Sequence, residues 1–127
     1  MNRDEMLEYF KLYTEDFEKA VERYYTEDIV FANPDNVFNG RQAILEHFRI
    51  VRDGIKEIFT PLNIVVEGDK IAAELGIELL ATRDKPDFAA GPLKKGESVH
   101  RTVGAFYHLR DNRICKVNVY RSGDRPS

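Results

Sequence analysis

The sequence predicts an α+β domain with its helices gathered on one side of a sheet, and three observations carry that prediction. Apolar residues recur at helical spacing before Tyr25 and again after Arg41; from Pro61 onward the period changes to two; and a turn cluster, Asn33-Pro34-Asp35-Asn36, closes a short strand between the helical regions.

Met6, Phe10, Tyr13, Phe17, Val21 and Tyr24 recur at steps of four and three with Glu, Lys and Arg between them, the pattern of an amphipathic helix or a pair of them. No Gly or Pro enforces a break there, but Thr14-Glu15-Asp16 can cap a second helix, which favours two. Asp28 to Ala32 is β-branched and aromatic and reads as a short strand ending at the turn cluster. Asn39-Gly40 precedes a long helix, in which Ile44, Leu45, Phe48, Val51, Ile55 and Ile58 repeat up to Thr60-Pro61.

The remainder reads as sheet. Leu62, Ile64 and Val66 alternate with Asn63, Val65 and Glu67 before the Gly68-Asp69 turn. Ile71 to Arg83 forms a strand whose odd face, Ile71, Ala73, Leu75, Ile77 and Leu79, turns inward. Asp84 to Glu97, carrying Pro86, Gly91, Pro92 and Gly96, is a long loop suited to a lid. Ser98 to Arg110 and Arg113 to Arg121 pair as a hairpin about Asp111-Asn112. Residues 1–127 thus make one domain with its core at about 6–121, and Ser122 to Ser127 form a polar tail.

Composition excludes several classes of function. With 43% hydrophobic and 32% charged residues and a net charge of −3, the chain has the balance of a soluble globule that weakly repels phosphate backbones, so neither nucleic acid nor membrane is an expected partner. Cys115 stands alone, so no intramolecular disulfide forms, and a cytoplasmic, reducing location is expected. No apolar run approaches the ~20 residues of a membrane helix. His100 and His108 are eight residues apart on one strand, about 27 Å at the usual rise, and cannot share a metal ion; neither metal nor cofactor is expected.

The order of elements, the run from Tyr24 to Pro34 (Tyr-Tyr-Thr-Glu-Asp-Ile-Val-Phe-Ala-Asn-Pro), the helix start Asn39-Gly40-Arg41-Gln42-Ala43-Ile44 and the turn Asn112-Arg113-Ile114 resemble the nuclear transport factor two-like superfamily, most closely its SnoaL-like branch, over roughly Met6 to Arg121. The resemblance implies a cone-shaped, cystatin-like α+β barrel: a curved mixed or antiparallel sheet packed on three helices, with an open pocket and a homodimer formed through the outer sheet face. It further implies that Tyr9 matches the oxyanion-stabilising tyrosine of the steroid isomerases, and Asn33 the position of their aspartate base. Gly104 matches their second aspartic acid, and Val119 lies near the catalytic aspartate of the cyclases. An amide cannot abstract a proton and glycine has no side chain to donate one, so the chemistry of those enzymes does not transfer as such.

Other polar residues are then the site candidates. The resemblance turns His100, Thr102, Gly104, Phe106 and His108 into the cone, which makes His100 a candidate acid or base and Thr102 and Phe106 ligand contacts. Asp35 is the carboxylate nearest to the place of the missing base, and Tyr9 a carbonyl-polarising phenol. Asn33, Leu75, Ile77, Val117, Val119 and Arg121 complete the expected ligand contacts, with Arg121 at the mouth. The expected function is a cofactor-independent lyase, isomerase or cyclase that acts on a small apolar carbonyl compound by general acid-base catalysis. The alternative is a non-catalytic ligand-binding or dimeric interaction module of the same fold.

Overall fold

The computed structural model describes residues 1–121, so the polar tail read at Ser122 to Ser127 lies outside the described residues. Helix α1, Arg3–Glu15, begins at a capping box in which Asn2 Oδ1 accepts from the Glu5 N–H at 2.8 Å and the Glu5 carboxylate accepts from the Asn2 N–H at 3.1 Å. Asp16 adopts an extended backbone that ends α1, and its carboxylate accepts from the Lys19 N–H at 3.2 Å to start α2, Phe17–Tyr24. The N-terminal pattern therefore folds as two helices.

Strand β1, Tyr25–Ala32, leads through the turn to β2, Val37–Asn39, and then to α3, Arg41–Val51. Four longer strands follow: β3, Ile55–Glu67; β4, Lys70–Ala81; β5, Ser98–Arg110; and β6, Arg113–Arg121. They form one six-stranded mixed sheet in the order β2-β1-β6-β5-β4-β3, in which only β1 and β6 run parallel. The expected α+β architecture of three helices on a mixed sheet is the one observed. Asp111 and Asn112, both at positive φ, close the β5–β6 hairpin tightly. None of the helices is long and apolar enough to cross a membrane.

The long helix is shorter than its apolar spacing predicts. It ends at Val51, and Ile55 and Ile58 belong to β3. Gly54, at φ +76°, turns the chain, and a Cβ there would come within 2.8 Å of the Arg83 side chain. Pro61 does not end an element either. It lies within β3, which is tolerated because β3 is the sheet edge and its pairing with β4 slips between Pro61 and Asn63. The slip exchanges the faces of the strand: Glu57 and Phe59 look inward before it, and Ile64 after it.

Strand β5 is turned over relative to expectation. Val103, Ala105, Tyr107 and Leu109 are buried, so the even-numbered set from His100 to His108 faces outward. Register gives the reason. Residues directly opposite in an antiparallel pair share a face, and Leu75 pairs with Val103 while Ala73 pairs with Ala105. Since the odd face of β4 is the buried one, as the sequence predicts, the odd face of β5 must be as well. Val117 and Val119 lie opposite Tyr107 and Ala105 and also face inward. Met6, Tyr9, Phe10 and Tyr13 of α1 pack onto this inner face and complete the core.

Candidate functional site

Between the inner face of the sheet and helices α1 and α3 lies a cavity of about 520 Å³. Its walls are largely apolar: Leu75, Ile77 and Leu79 from β4, Val103 and Ala105 from β5, Val117 and Val119 from β6, and Phe59 from β3. The loop after β4 supplies Phe88, Ala89 and Ala90. That loop is anchored by Leu93, which packs with Ile55 and Ala81 in a second small core, and by backbone pairing of Lys85 with Leu93. The segment expected to form a lid is thus part of the wall.

A cluster of phenols stands at the α1 side. The Tyr9 and Tyr25 hydroxyls hydrogen bond at 2.6 Å, and the Tyr9 ring meets those of Tyr13, Tyr24 and Tyr107 at centroid distances of 5.7, 5.3 and 6.0 Å. Burial pushes the pKa of Tyr9, Tyr13, Tyr25 and Tyr107 upward. Each phenol therefore stays protonated at neutral pH and acts as a neutral hydrogen-bonding group.

Beside the phenols sits an ion pair that the sequence reading did not single out. Arg52, at the C-terminal end of α3, has its guanidinium carbon 4.7, 4.5 and 4.9 Å from the ring centroids of Tyr13, Phe17 and Phe48. Its Nη2 lies 3.2 Å from Glu57 Oε2. Burial holds the Glu57 carboxyl above the usual carboxylate range, opposed by the positive charges of Arg52 and Arg101. A carboxyl so placed holds its proton more tightly than one in water, and the phenols can stabilise an oxygen that gains charge.

Helical spacing of Ile55 and Ile58 hides Glu57 in the sequence. The alternation of Ile55, Glu57 and Phe59 just after a glycine is the signal that reveals it. Arg101 lies on the odd face of β5, opposite to the face that the family resemblance turns inward, and the pairing of β4 with β5 is what brings it to the cavity.

The rim is formed by the turn after β1. Asn33 lines the cavity, but its Oδ1 accepts from the Asp35 and Asn36 N–H groups at 3.0 and 2.8 Å, so its carbonyl oxygen shapes the turn. Asp35 and Arg121 both border the cavity and pair at 2.8 Å. His47 of α3 also borders the cavity, with its ring 4.3 Å from that of Phe38, and burial lowers its pKa.

Of the site residues that the sequence and the resemblance point to, Tyr9, Asn33, Asp35, Leu75, Ile77, Val117, Val119 and Arg121 border the cavity. His100, Thr102 and Phe106 do not. The His100 side chain is 72% exposed on the outer face, where its Nε2 lies 3.5 Å from Glu78 Oε2. Phe106 packs edge-on against Tyr120 on that same face, and Thr102 is exposed between them. On the outer face, His100 does not meet the groups that line this cavity, contrary to the orientation expected of it. Among the described residues, no group of three or more His, Cys, Asp and Glu side chains is arranged to hold a metal ion.

Comparison with known proteins agrees with this architecture. The family model of the SnoaL-like domain matches residues 6–117. A protein proposed to be a polyketide cyclase, from Xanthomonas campestris pv. campestris, superposes with a TM-score of 0.76 at 19% identity, over 90% of this chain and 84% of its own. An NTF2-like protein of unknown function from Burkholderia pseudomallei K96243 gives 0.73 at 13% identity, over 92% and 87%. An LEH-like epoxide hydrolase from M. tuberculosis gives 0.70 at 14% identity, over 90% and 77%. At these identities the likeness is one of fold. No curated protein sequence matches the chain.

Proposed function

We propose, since this chain belongs to the SnoaL-like domain family, that it is a small-molecule enzyme: a cofactor-independent lyase, isomerase or cyclase acting on a largely apolar carbonyl compound. The observation that carries the reading is the Glu57 carboxyl, shifted upward by burial inside an apolar cavity and flanked by neutral phenols. Perturbed ionisable groups in clefts mark sites of proton transfer. In this reading Glu57 moves the proton next to the carbonyl, and the phenols of the Tyr9 cluster polarise the oxygen. Asp35 keeps its proposed role as a second carboxylate, at the rim and restrained by Arg121.

Aryl ketones incubated in D2O test this directly, by following exchange of the protons next to the carbonyl with NMR. Exchange above the buffer rate in the wild type, lost in Glu57→Gln, supports catalysis. Ketones that bind, as seen by saturation transfer, without any enhanced exchange would replace it by the non-catalytic binding reading. That second reading draws on Asn33, whose amide stands where the steroid isomerases carry their aspartate base and is engaged in the turn.

The outer sheet face supports the expected homodimer separately: Leu62, Phe106 and Tyr120 are each more than half exposed there or at its edge. Sedimentation over a range of concentrations tests it.

A further inference from the structure

We infer that the cavity is built for apolar molecules carrying an anionic oxygen group, a carboxylate above all, and that Arg101 is the residue that receives it. This rests on the preceding reading of the cavity as a small-molecule site and adds the chemical class of its ligand.

Three guanidinium groups border the cavity, Arg52, Arg101 and Arg121, against two carboxylates, Glu57 and Asp35. The cavity therefore has a positive excess inside a chain whose net charge is −3. Two of the cations face a carboxylate: Arg121 is ion-paired with Asp35, and Arg52, whose buried Nε and Nη2 lack hydrogen-bond partners among the described residues, is ion-paired with Glu57 and shielded by three aromatic rings. Arg101 makes no hydrogen bond or ion pair with a described residue.

Its position is fixed by the sheet. Arg101 lies directly opposite Ile77 on the inner face, one strand from Phe59 and near enough to Glu57 to oppose its upward shift. A guanidinium on an apolar wall, with its planar donors uncommitted, presents the fork that a carboxylate accepts in two parallel hydrogen bonds. Desolvation strengthens that bond relative to water. A neutral or cationic ligand would leave the charge uncompensated in a partly dry site. A carboxylate held at Arg101 would direct the remainder of the molecule along Ile77 and Val103 toward Glu57 and the phenols.

The test compares 2-naphthoate with 2-naphthalenemethanol, which has nearly the same shape and no charge, by calorimetric titration. The wild type is expected to bind the carboxylate at least about tenfold more tightly. Arg101→Gln is expected to abolish that preference while leaving affinity for the alcohol within about twofold, and Arg101→Lys to restore part of it in a salt-sensitive manner. Arg23→Gln, on the exposed face of α2, controls for a general loss of positive charge. Far-UV circular dichroism and melting temperature verify folding of each variant. Equal affinity of the wild type for both probes, or a preference that survives in Arg101→Gln, would overturn the assignment and leave the cavity a small-molecule site. Binding of neither probe would overturn both readings together.

Discussion

Glu57 and Arg52 are five positions apart in sequence and 3.2 Å apart in space, because the chain leaves α3 at Arg52, turns at Gly54 and enters β3 at Ile55. The turn places the pair at the junction of helix and sheet, where both side chains lie beside the cavity. Breaking a pair at such a site is costlier than breaking one on the surface, since a partner left behind keeps its charge with few alternatives.

The stability of the protein should carry the signature of Glu57. Burial raises its carboxyl above the ordinary value of 4.5. As pH rises through the window from that value upward, the unfolded chain loses its proton first. The native state then binds more protons than the unfolded one, and stability falls with rising pH. Glu57→Gln removes this component. Subtracting the variant's unfolding free energy from that of the wild type, measured by urea denaturation at a series of pH values, should give a difference that declines as pH increases. A flat or rising difference would show that the ion pair, and not burial, governs the group.

Tyr9 and Tyr25 form a buried hydroxyl pair at 2.6 Å. Replacing one partner leaves the other without its hydrogen bond, at a cost of about 1–3 kcal/mol. Tyr9→Phe is therefore expected to lower stability by that amount. The double variant with Tyr25→Phe should cost less than the two single changes added together. Chemical denaturation of the four proteins provides the cycle, and strict additivity would mean that the two hydroxyls act independently.

The orientation of β5 is open to an equally direct check. Ala105 is buried on the inner face, and Ala105→Glu should lower the melting temperature sharply or prevent folding, because it places an unpaired charge in the core. His100→Gln lies on the outer face, at a side chain that is 72% exposed, and should change stability by no more than about 0.5 kcal/mol. The opposite ranking would return the even-numbered face to the interior.

Much of the fold was legible because periodicity is local. The stripe from Met6 to Val21, the turn at Asn33 to Asn36, the odd face of β4 and the hairpin at Asp111-Asn112 each follow from residues within a few positions of one another. Alternation puts Leu75, Val117 and Arg121 each on a definite strand face, and the family resemblance assigned Val117, Arg121 and Tyr9 to the pocket, which they border.

What the chain alone determined, then, was its class of elements, their order and most of their apolar faces, since these depend on spacing and turn chemistry. Tertiary structure decided the phase of β5, the length of α3 and the meeting of Arg52 with Glu57. Both faces of β5 carry apolar side chains, so only its pairing with β4 selects which enters the core. Ile55 and Ile58 suit a helix as well as a strand, and only the turn at Gly54 and pairing with Ala81 and Glu78 commit them to the sheet.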